Sequence, residues 1–347
     1  MFNSTGNSTD LYYLDINLKY LFYYSYIYRV IGTVSLSIIM CVGIIGNAVV
    51  LTVVTMSPGL HTPTNCYLVS LSASDLLVLL STTILMVKEL FSQFSSWDLG
   101  LALCLLSVCV QYLTVAVSTL SICAFSIERW VGICYPLKAN QLCTVNRALK
   151  VIAGIWISAT LYNLSWVFVA TTKTLPSPTG TYETCTFRYD RKAYRAIYTC
   201  DLVFYYLIPL CITSFMYAHI CCRLFRNRKI GRSSDSRKTD PVFDWQASES
   251  LSPLYHQQVR IFHAMNRSRA RKQVIKICMA IVAMFASCWL PYRIMVVYNS
   301  FAYPPYNDLW FRMFARLMAF LNSAINPILY NMMSKKFRRA LKRLLRR

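Results

Sequence analysis

Charged residues are scarce in this sequence, and the acidic ones are the scarcest. Only 14% of the 347 residues are charged, with 14 Asp and Glu against 36 Lys and Arg, while hydrophobic residues make up 56%. Soluble domains carry about 25% charged residues. The shortage of charge therefore excludes an ordinary soluble protein and indicates a membrane protein.

Polar interruptions are few in seven apolar stretches, each of about 20 residues or more, the length that a helix needs to cross the hydrocarbon layer. The predicted spans, numbered first to seventh in chain order, are Ile31 to Met56, Tyr67 to Val87, Leu101 to Cys134, Val151 to Ala170, Ala196 to Ile220, Val274 to Val297 and Phe311 to Met332. The short alternating segments typical of a membrane β-barrel are absent from them. The sequence predicts an all-α membrane protein, with a tail at 1–28 and a seven-transmembrane-helix bundle at 29–332.

Basic residues are concentrated on one side of this bundle. The segment after the seventh span and the loop after the fifth share that side. Their basic residues are Lys335, Lys336, Arg338, Arg339, Lys342, Arg343, Arg346 and Arg347, and Arg223, Arg226, Arg228, Lys229, Arg232, Arg267, Arg269, Arg271 and Lys272. Because basic loops stay in the cytoplasm, we expect a plasma-membrane protein with its N-terminus outside. Charge so close to the spans favours contact with anionic lipid and an intracellular protein over nucleic acid.

Two features predict chemistry on the outer side. Asn3 and Asn7 each begin a glycosylation acceptor pattern in the N-terminal tail. Cys104 at the outer end of the third span and Cys185 in the loop after the fourth both lie in the oxidising compartment, so we expect a disulfide between them. The alternative is a buried Cys104 and a free Cys185. No cysteine spacing indicates a zinc cluster, and no cleavable signal peptide is evident.

The carboxylate of Asp75 lies within the second span, where an ionisable group is costly and usually faces the bundle interior. Asn47, Ser118, Asn322 and Asn326 are polar residues of other spans placed to reach it. Carboxylate, hydroxyl and amide oxygens together suit a hard cation, so we expect an allosteric sodium ion at Asp75, Ser118, Asn322 and Asn326. The alternative is a water-filled hydrogen-bond network that holds no ion.

Two short motifs, Glu128-Arg129-Trp130 and Asn326-Pro327-Ile328-Leu329-Tyr330, stand at the inner ends of the third and seventh spans. In their order along the chain and their depth in the predicted spans, the two motifs resemble those of the rhodopsin-like G-protein-coupled receptor family. The further matching residues are Asn47, Asp75, Cys104, Trp156, Pro209, Tyr217 and Cys288-Trp289-Leu290-Pro291. The resemblance covers nearly the whole chain, except the N-terminal tail and the middle of the long inner loop.

This resemblance implies a mechanism in which ligand binding favours an outward swing of the inner end of the sixth span, exposing a cavity for a heterotrimeric G protein. Glu128 is expected to hold Arg129 in the resting state, and Pro291 to kink the sixth span. The residues that the resemblance assigns to activation and coupling are Glu128, Arg129, Tyr217, Phe285, Trp289, Pro291, Asn326, Pro327 and Tyr330.

A narrower resemblance points to the thyrotropin-releasing hormone receptor family. It rests on the segments Thr62 to Leu71, Trp289 to Arg293, Asn299 to Phe301 and Leu321 to Pro327. It implies a small amidated peptide ligand, coupling to a Gq/11-type G protein with phospholipase C and calcium signalling, and ligand-binding residues Tyr112, Tyr292, Asn299 and Arg316. From the residues alone, either Tyr is equally compatible with bundle packing, and Arg316 with an ion pair to an outer acid such as Asp308.

Two positions depart from the pattern of that family. Ala116, one turn below Tyr112, stands where the hormone receptor carries Asn, and Phe320, one turn below Arg316, stands where it carries Tyr. A site that loses hydrogen-bonding groups discriminates less against ligands that lack the matching polar group. We therefore expect a related amidated peptide with a more apolar residue facing Ala116 and Phe320.

Appreciable ligand-independent signalling is a further expectation. Some relatives restrain the third span with an acid at the inner end of the sixth, but Arg271 occupies that region here. Two facing cations cannot form the ion pair. The basal second-messenger level of cells that express the receptor should exceed that of empty cells, and equal levels would contradict this.

The cytoplasmic segments differ in character. The loop at about 227–267 contains Ser233, Ser234, Ser236, Thr239, Ser248, Ser250 and Ser252 in a polar context and is predicted to be mobile, a place where arrestin would act. Residues 333–347 place Phe337, Leu341, Leu344 and Leu345 on one face among basic residues, which predicts a short amphipathic eighth helix on anionic lipid.

Other classes of protein fit less well. A transporter or channel would use Asp75 in a conduction path, but duplicated halves are not evident. A receptor for an amine would be expected to carry an Asp where Val108 stands, and a retinal protein a mid-span Lys in the seventh span. A receptor for another peptide or for a non-peptide ligand stays open. No enzyme is predicted, because a nucleophile, base and oxyanion donor cannot be assembled from these spans.

Overall fold

The computed structural model describes residues 24–92, 96–177, 180–189, 191–235, 279–333 and 335–346. The first three spans are the helices Tyr26–Met56, Pro63–Phe91 and Gly100–Cys134, and the fourth is Val145–Asn163, continued by Ser165–Val169. The fifth joins Arg191–Tyr194, Arg195–Leu202, a π-helical turn at Val203–Leu207 and Ile208–Asp235; the sixth is Met279–Phe301 and the seventh Leu309–Met333. The predicted seven-helix bundle is confirmed.

The seventh helix is less apolar than the others. Six helices in the described part of the chain have the length and composition to cross a membrane, and this one is not among them. Its 25 residues are long enough to span, but it carries Arg312 and Arg316 near its outer end and Asn322 and Asn326 below. These polar groups indicate that one side of the helix faces the bundle interior.

Small and polar residues bring the first, second and seventh helices close together. A Cβ added to Gly43 would lie 2.5 Å from a Leu79 methyl carbon and 3.2 Å from the Ala324 Cβ. One turn later, the Asn47 Nδ2 donates to the Gly43 carbonyl at 2.9 Å and to the Ser323 carbonyl at 3.0 Å. Tight backbone approach and an interhelical amide bond therefore fix the frame around Asp75.

The loop after the fourth span forms an antiparallel hairpin, which the sequence reasoning described only as polar loop. Strand β1 is Ala170–Ser177 and strand β2 is Gly180–Phe187. Cys185 in β2 forms the predicted disulfide with Cys104, whose side chain is fully buried. The Trp97 amide also donates to the Glu183 carbonyl at 2.7 Å. The hairpin is thus attached to the bundle at two points.

At the cytoplasmic side, a short helix, Pro136–Leu142, follows the third span, and the predicted eighth helix is present as Lys335–Leu344. Phe337 is buried in the inner core, and Leu341 and Leu344 pack against it, whereas Leu345 is exposed. The predicted sites Asn3, Asn7 and Arg271, and most of the loop 227–267, lie outside the described residues.

Candidate ligand-binding and activation sites

A cavity, here called the main cavity, lies in the outer half of the bundle between the second, third, sixth and seventh spans. Tyr292, Arg316 and Phe320 line it together, as expected for ligand-binding residues. Trp289 also lines it, and the lining continues to Ser118 and Asn322. Three of the predicted ligand residues, Tyr292, Arg316 and Phe320, therefore share one cavity with Trp289 and with residues proposed for sodium.

Arg316 forms an ion pair that the sequence reasoning missed. Its Nη1 lies 3.1 and 3.3 Å from the two carboxylate oxygens of Glu89, near the outer end of the second span. The alternative partner, Asp308, instead accepts from the Phe311 amide at 2.6 Å and caps the seventh span. The alternative interpretation of Arg316, an ion pair with an acid, thus holds in this structure, but the acid is Glu89, which is separated from it by 227 residues in sequence.

Tyr112 packs in an aromatic cluster beside the main cavity. Its ring stacks on Trp166 with a centroid distance of 3.8 Å and an interplanar angle of 9°. Trp166 is fully buried, and Phe187 of β2 and Tyr198 pack against it from the other side. Tyr292, in contrast, lines the cavity with its ring edge-on to Trp289 at 6.2 Å. Of the two predicted tyrosines, only Tyr292 contributes to the lining.

Asn299 and Ala116 also lie outside the lining of the main cavity. The Asn299 Nδ2 donates to the Tyr306 carbonyl at 2.9 Å, and its Oδ1 accepts from the Tyr306 amide at 2.8 Å. Its side chain therefore holds the loop between the sixth and seventh spans. Ala116 is buried against Ile155 and Ala159 of the fourth span.

The carboxylate of Asp75 is fully buried at the centre of a polar network. Its Oδ2 accepts from the Asn326 Nδ2 at 2.9 Å, whereas its Oδ1 is buried without a hydrogen-bond partner among the described residues. Ser118 lies next to it and is bonded to Ser74 at 2.9 Å. A buried oxygen lacking a donor, beside hydroxyl and amide groups, fits a small hard cation.

At the inner end of the third span, Arg129 is tied to the second span. Its Nη2 donates to the Thr64 hydroxyl, and its guanidinium lies 5.6 Å from the centroid of the Phe125 ring. The Tyr217 hydroxyl donates to the Ser126 Oγ at 3.1 Å. The backbone of Tyr330 is helical, but its side chain lies outside the described part of the structure.

Two further side-chain contacts lie near Arg129 on the cytoplasmic side, one at Trp130 and one at Cys143. The Trp130 Nε1 donates to the His219 Nδ1 at 3.0 Å, a contact between the third and fifth spans that the sequence reasoning did not foresee. Cys143, in the loop before the fourth span, is desolvated by burial and lies beside Glu128; both effects raise the pKa of its thiol to about 11. This cysteine is therefore a neutral thiol at cellular pH.

Phe285 and Trp289, both assigned to activation, belong to one buried hydrophobic cluster. Phe285, one turn from Trp289, is buried, and its ring centroid lies 5.9 Å from that of Tyr206. The Tyr206 hydroxyl donates to the Ala286 carbonyl at 2.8 Å. Ala286 lies five residues before Pro291, which has no backbone N–H. This contact joins the π-helical turn of the fifth span to the sixth span. We expect a repacking of side chains beneath a ligand to be transmitted between the two spans here.

One family profile, described as 7 transmembrane receptor (rhodopsin family), matches residues 46–330 of this chain. The chain therefore belongs to the rhodopsin family of G-protein-coupled receptors, which are multi-pass membrane proteins.

Within that family, it is similar to the thyrotropin-releasing hormone receptors. The mouse protein (Mus musculus) is 37% identical over 324 residues, covering 91% of this chain and 79% of its own length. The human protein (Homo sapiens) is 37% identical over 318 residues, covering 91% and 78%. Neuromedin-U receptor 1 of Rattus norvegicus is 28% identical over 314 residues, covering 87% and 70%. The predicted resemblance is confirmed.

Proposed function

We propose that this receptor binds a small amidated neuropeptide and signals through a Gq/11-type G protein, phospholipase C and calcium. The observation that carries the proposal is the main cavity, which combines the Arg316 guanidinium and the Tyr292 hydroxyl with the apolar Phe320. Guanidinium donors suit the carbonyl groups of a peptide, and the aromatic walls suit its side chains. The names of the similar receptors, thyrotropin-releasing hormone and neuromedin-U, support a peptide ligand.

Intracellular calcium in cells expressing the chain tests this proposal. A panel of short amidated peptides is compared with the same peptides as free acids and with cells that lack the receptor. A calcium response to amidated peptides that needs the receptor is expected. Silence across the panel, with surface expression confirmed by an outer epitope tag, would contradict the ligand class.

The ligand is expected to differ from thyrotropin-releasing hormone at the group that meets Phe320. Phe320→Tyr adds the hydroxyl of the hormone receptor to the lining of the main cavity, so it should raise the potency of the hormone severalfold or more because a buried hydrogen bond discriminates strongly. Ala116→Asn changes a position that packs on the fourth span outside this lining and should give no such gain. Ala116 is 1% exposed, so its replacement also tests packing. Phe320→Tyr only adds a hydroxyl and is the milder variant.

Dose-response curves for the hormone and for apolar analogues, normalised to surface expression, measure this difference. If the hormone is equally potent on the parent and on Phe320→Tyr, the proposed ligand difference is wrong.

We also propose that sodium binds at Asp75, Ser118, Asn322 and Asn326 and stabilises the resting arrangement. The buried Asp75 Oδ1, which lacks a donor, supports this. Replacing sodium with N-methylglucamine should then raise peptide potency severalfold in the parent and leave Asp75→Asn unchanged. A sodium effect of equal size in Asp75→Asn would refute the site.

The distribution of basic residues supports the remaining proposed partners. The exposed basic residues Lys336, Arg338, Arg339, Lys342 and Arg343 of the eighth helix support contact with anionic lipid. The same distribution supports an extracellular N-terminus. The serines of the loop 227–267 are the proposed site of regulation by kinases and arrestin.

A further inference from the structure

A second cavity, the side cavity, lies between the outer ends of the first, second and seventh spans. Its lining includes Tyr24, Tyr28, Glu89, Arg312 and Arg316. Arg316 also lines the main cavity. The two cavities are therefore adjacent, with Arg316 at their common boundary.

The two arginines of the side cavity differ in charge compensation. Arg316 is paired with Glu89 at 3.1 Å. Arg312 lies one turn closer to the outer end of the same helix face, and no carboxylate of the described residues lies within 4.0 Å of its guanidinium. The cavity thus contains two cations and one anion, and the uncompensated cation is Arg312.

Aromatic rings form the wall next to Arg312. Tyr24 and Tyr28 stack with centroids 4.8 Å apart, and Trp310 meets Tyr28 edge-on at 5.2 Å. The Tyr28 hydroxyl is already engaged, since it donates to the Leu309 carbonyl at 3.2 Å. The wall therefore offers apolar ring faces, which lower the local dielectric constant and strengthen an ion pair formed at Arg312.

Charges of both signs are exposed on the outer loops. Lys173, Arg188 and Lys192 are exposed there, and so is Glu183 of β2. Asp98 is paired with Lys88, and Asp308 caps the seventh helix. Of the described outer acids, only Glu89 lines the side cavity, so the other three do not compensate Arg312 there.

We propose that the side cavity binds the carboxylate of an acidic residue in the peptide ligand, with Arg312 as its partner. The inference rests on the proposed peptide function and narrows the ligand to one that carries Asp or Glu beside the part held in the main cavity. The guanidinium of Arg312 forms charge-assisted hydrogen bonds to that carboxylate. Arg312 is then a residue that determines specificity for ligand charge.

Paired amidated peptides that differ only in Glu or Gln at one position test this in the calcium assay. On the parent receptor, the Glu peptide should be at least about tenfold more potent at the matching position. Arg312→Gln should remove the preference, and Arg312→Lys should retain part of it. Lys173→Gln, an exposed basic residue of β1, is the control and should keep the preference in full. Equal potency of the two peptides on the parent, or equal loss in Lys173→Gln, would overturn the proposal.

A binding assay that needs no native ligand separates this proposal from the proposed function. N-acetylglutamic acid amide at millimolar concentration should raise the melting temperature of the solubilised receptor, N-acetylglutaminamide should not, and Arg312→Gln should abolish the shift. If N-acetylglutamic acid amide does not raise the melting temperature of the parent receptor, the side cavity does not bind a carboxylate. This conclusion holds regardless of the calcium responses to the peptides. A shift combined with silence to all peptides would leave the acid site and remove the peptide function.

Discussion

Arg316→Ala is expected to lower the potency of the activating peptide by about 10- to 150-fold, the factor that the loss of a charge-assisted hydrogen bond implies. Surface expression should change little. The ion pair with Glu89 is partly open to water, with side-chain accessibilities of 37% and 32%, and such pairs contribute little to folding. Calcium dose-response curves and surface labelling of the same cells measure the two quantities separately.

Glu89→Gln is the matched variant, and its expected effect has the opposite sign. Glu89 occupies the Arg316 Nη1 in the structure, so a ligand carbonyl has to compete with it. Removing the carboxylate should therefore raise peptide potency severalfold. If Glu89→Gln instead reproduces the loss seen in Arg316→Ala, the pair itself, rather than contact between Arg316 and the ligand, supports binding.

Removing the outer disulfide should have a comparably large effect, acting through stability. Losing a native disulfide costs about 2–5 kcal/mol. Cys104→Ala with Cys185→Ala detaches β2 from the third span, so the hairpin and the Phe187 ring that packs on Trp166 lose their anchor. We expect a lower melting temperature of the solubilised receptor and little surface expression.

Cys109→Ala is the control for this experiment, because Cys109 lies in the same helix and is a free thiol. It should leave both the melting temperature and the calcium response close to the parent values. Parent-like potency in the variant without the disulfide would show that the hairpin does not need this attachment.

The sequence predicted the helices well because the bilayer imposes a simple length and hydropathy rule. The third span was predicted from Leu101 to Cys134 and is observed as Gly100–Cys134. The second extends further at its start, because Thr62 caps it and Pro63 suits its first turn. The hairpin was missed because eight-residue strands in a polar loop carry no span-length signal.

The candidate site was predicted only in part, since contacts between distant helices leave little trace in sequence. An acidic partner of Arg316 was an alternative interpretation, with Asp308 as the example, but the partner in the structure is Glu89 of the second helix. Tyr112 matched a family position, yet its stacking on Trp166 depends on how the third and fourth spans pack. The side chains of Trp130 and His219 meet for the same reason.

The amide of Asn299 has a consequence for how the receptor moves. Because it bonds both the amide and the carbonyl of Tyr306, the outer end of the sixth helix is fastened to the loop that begins the seventh. A rigid rod held at one end turns about that end, so its displacement grows toward the other. We expect the sixth helix to turn about this extracellular attachment on activation, so that a small repacking at Trp289 displaces its cytoplasmic end more than its outer end.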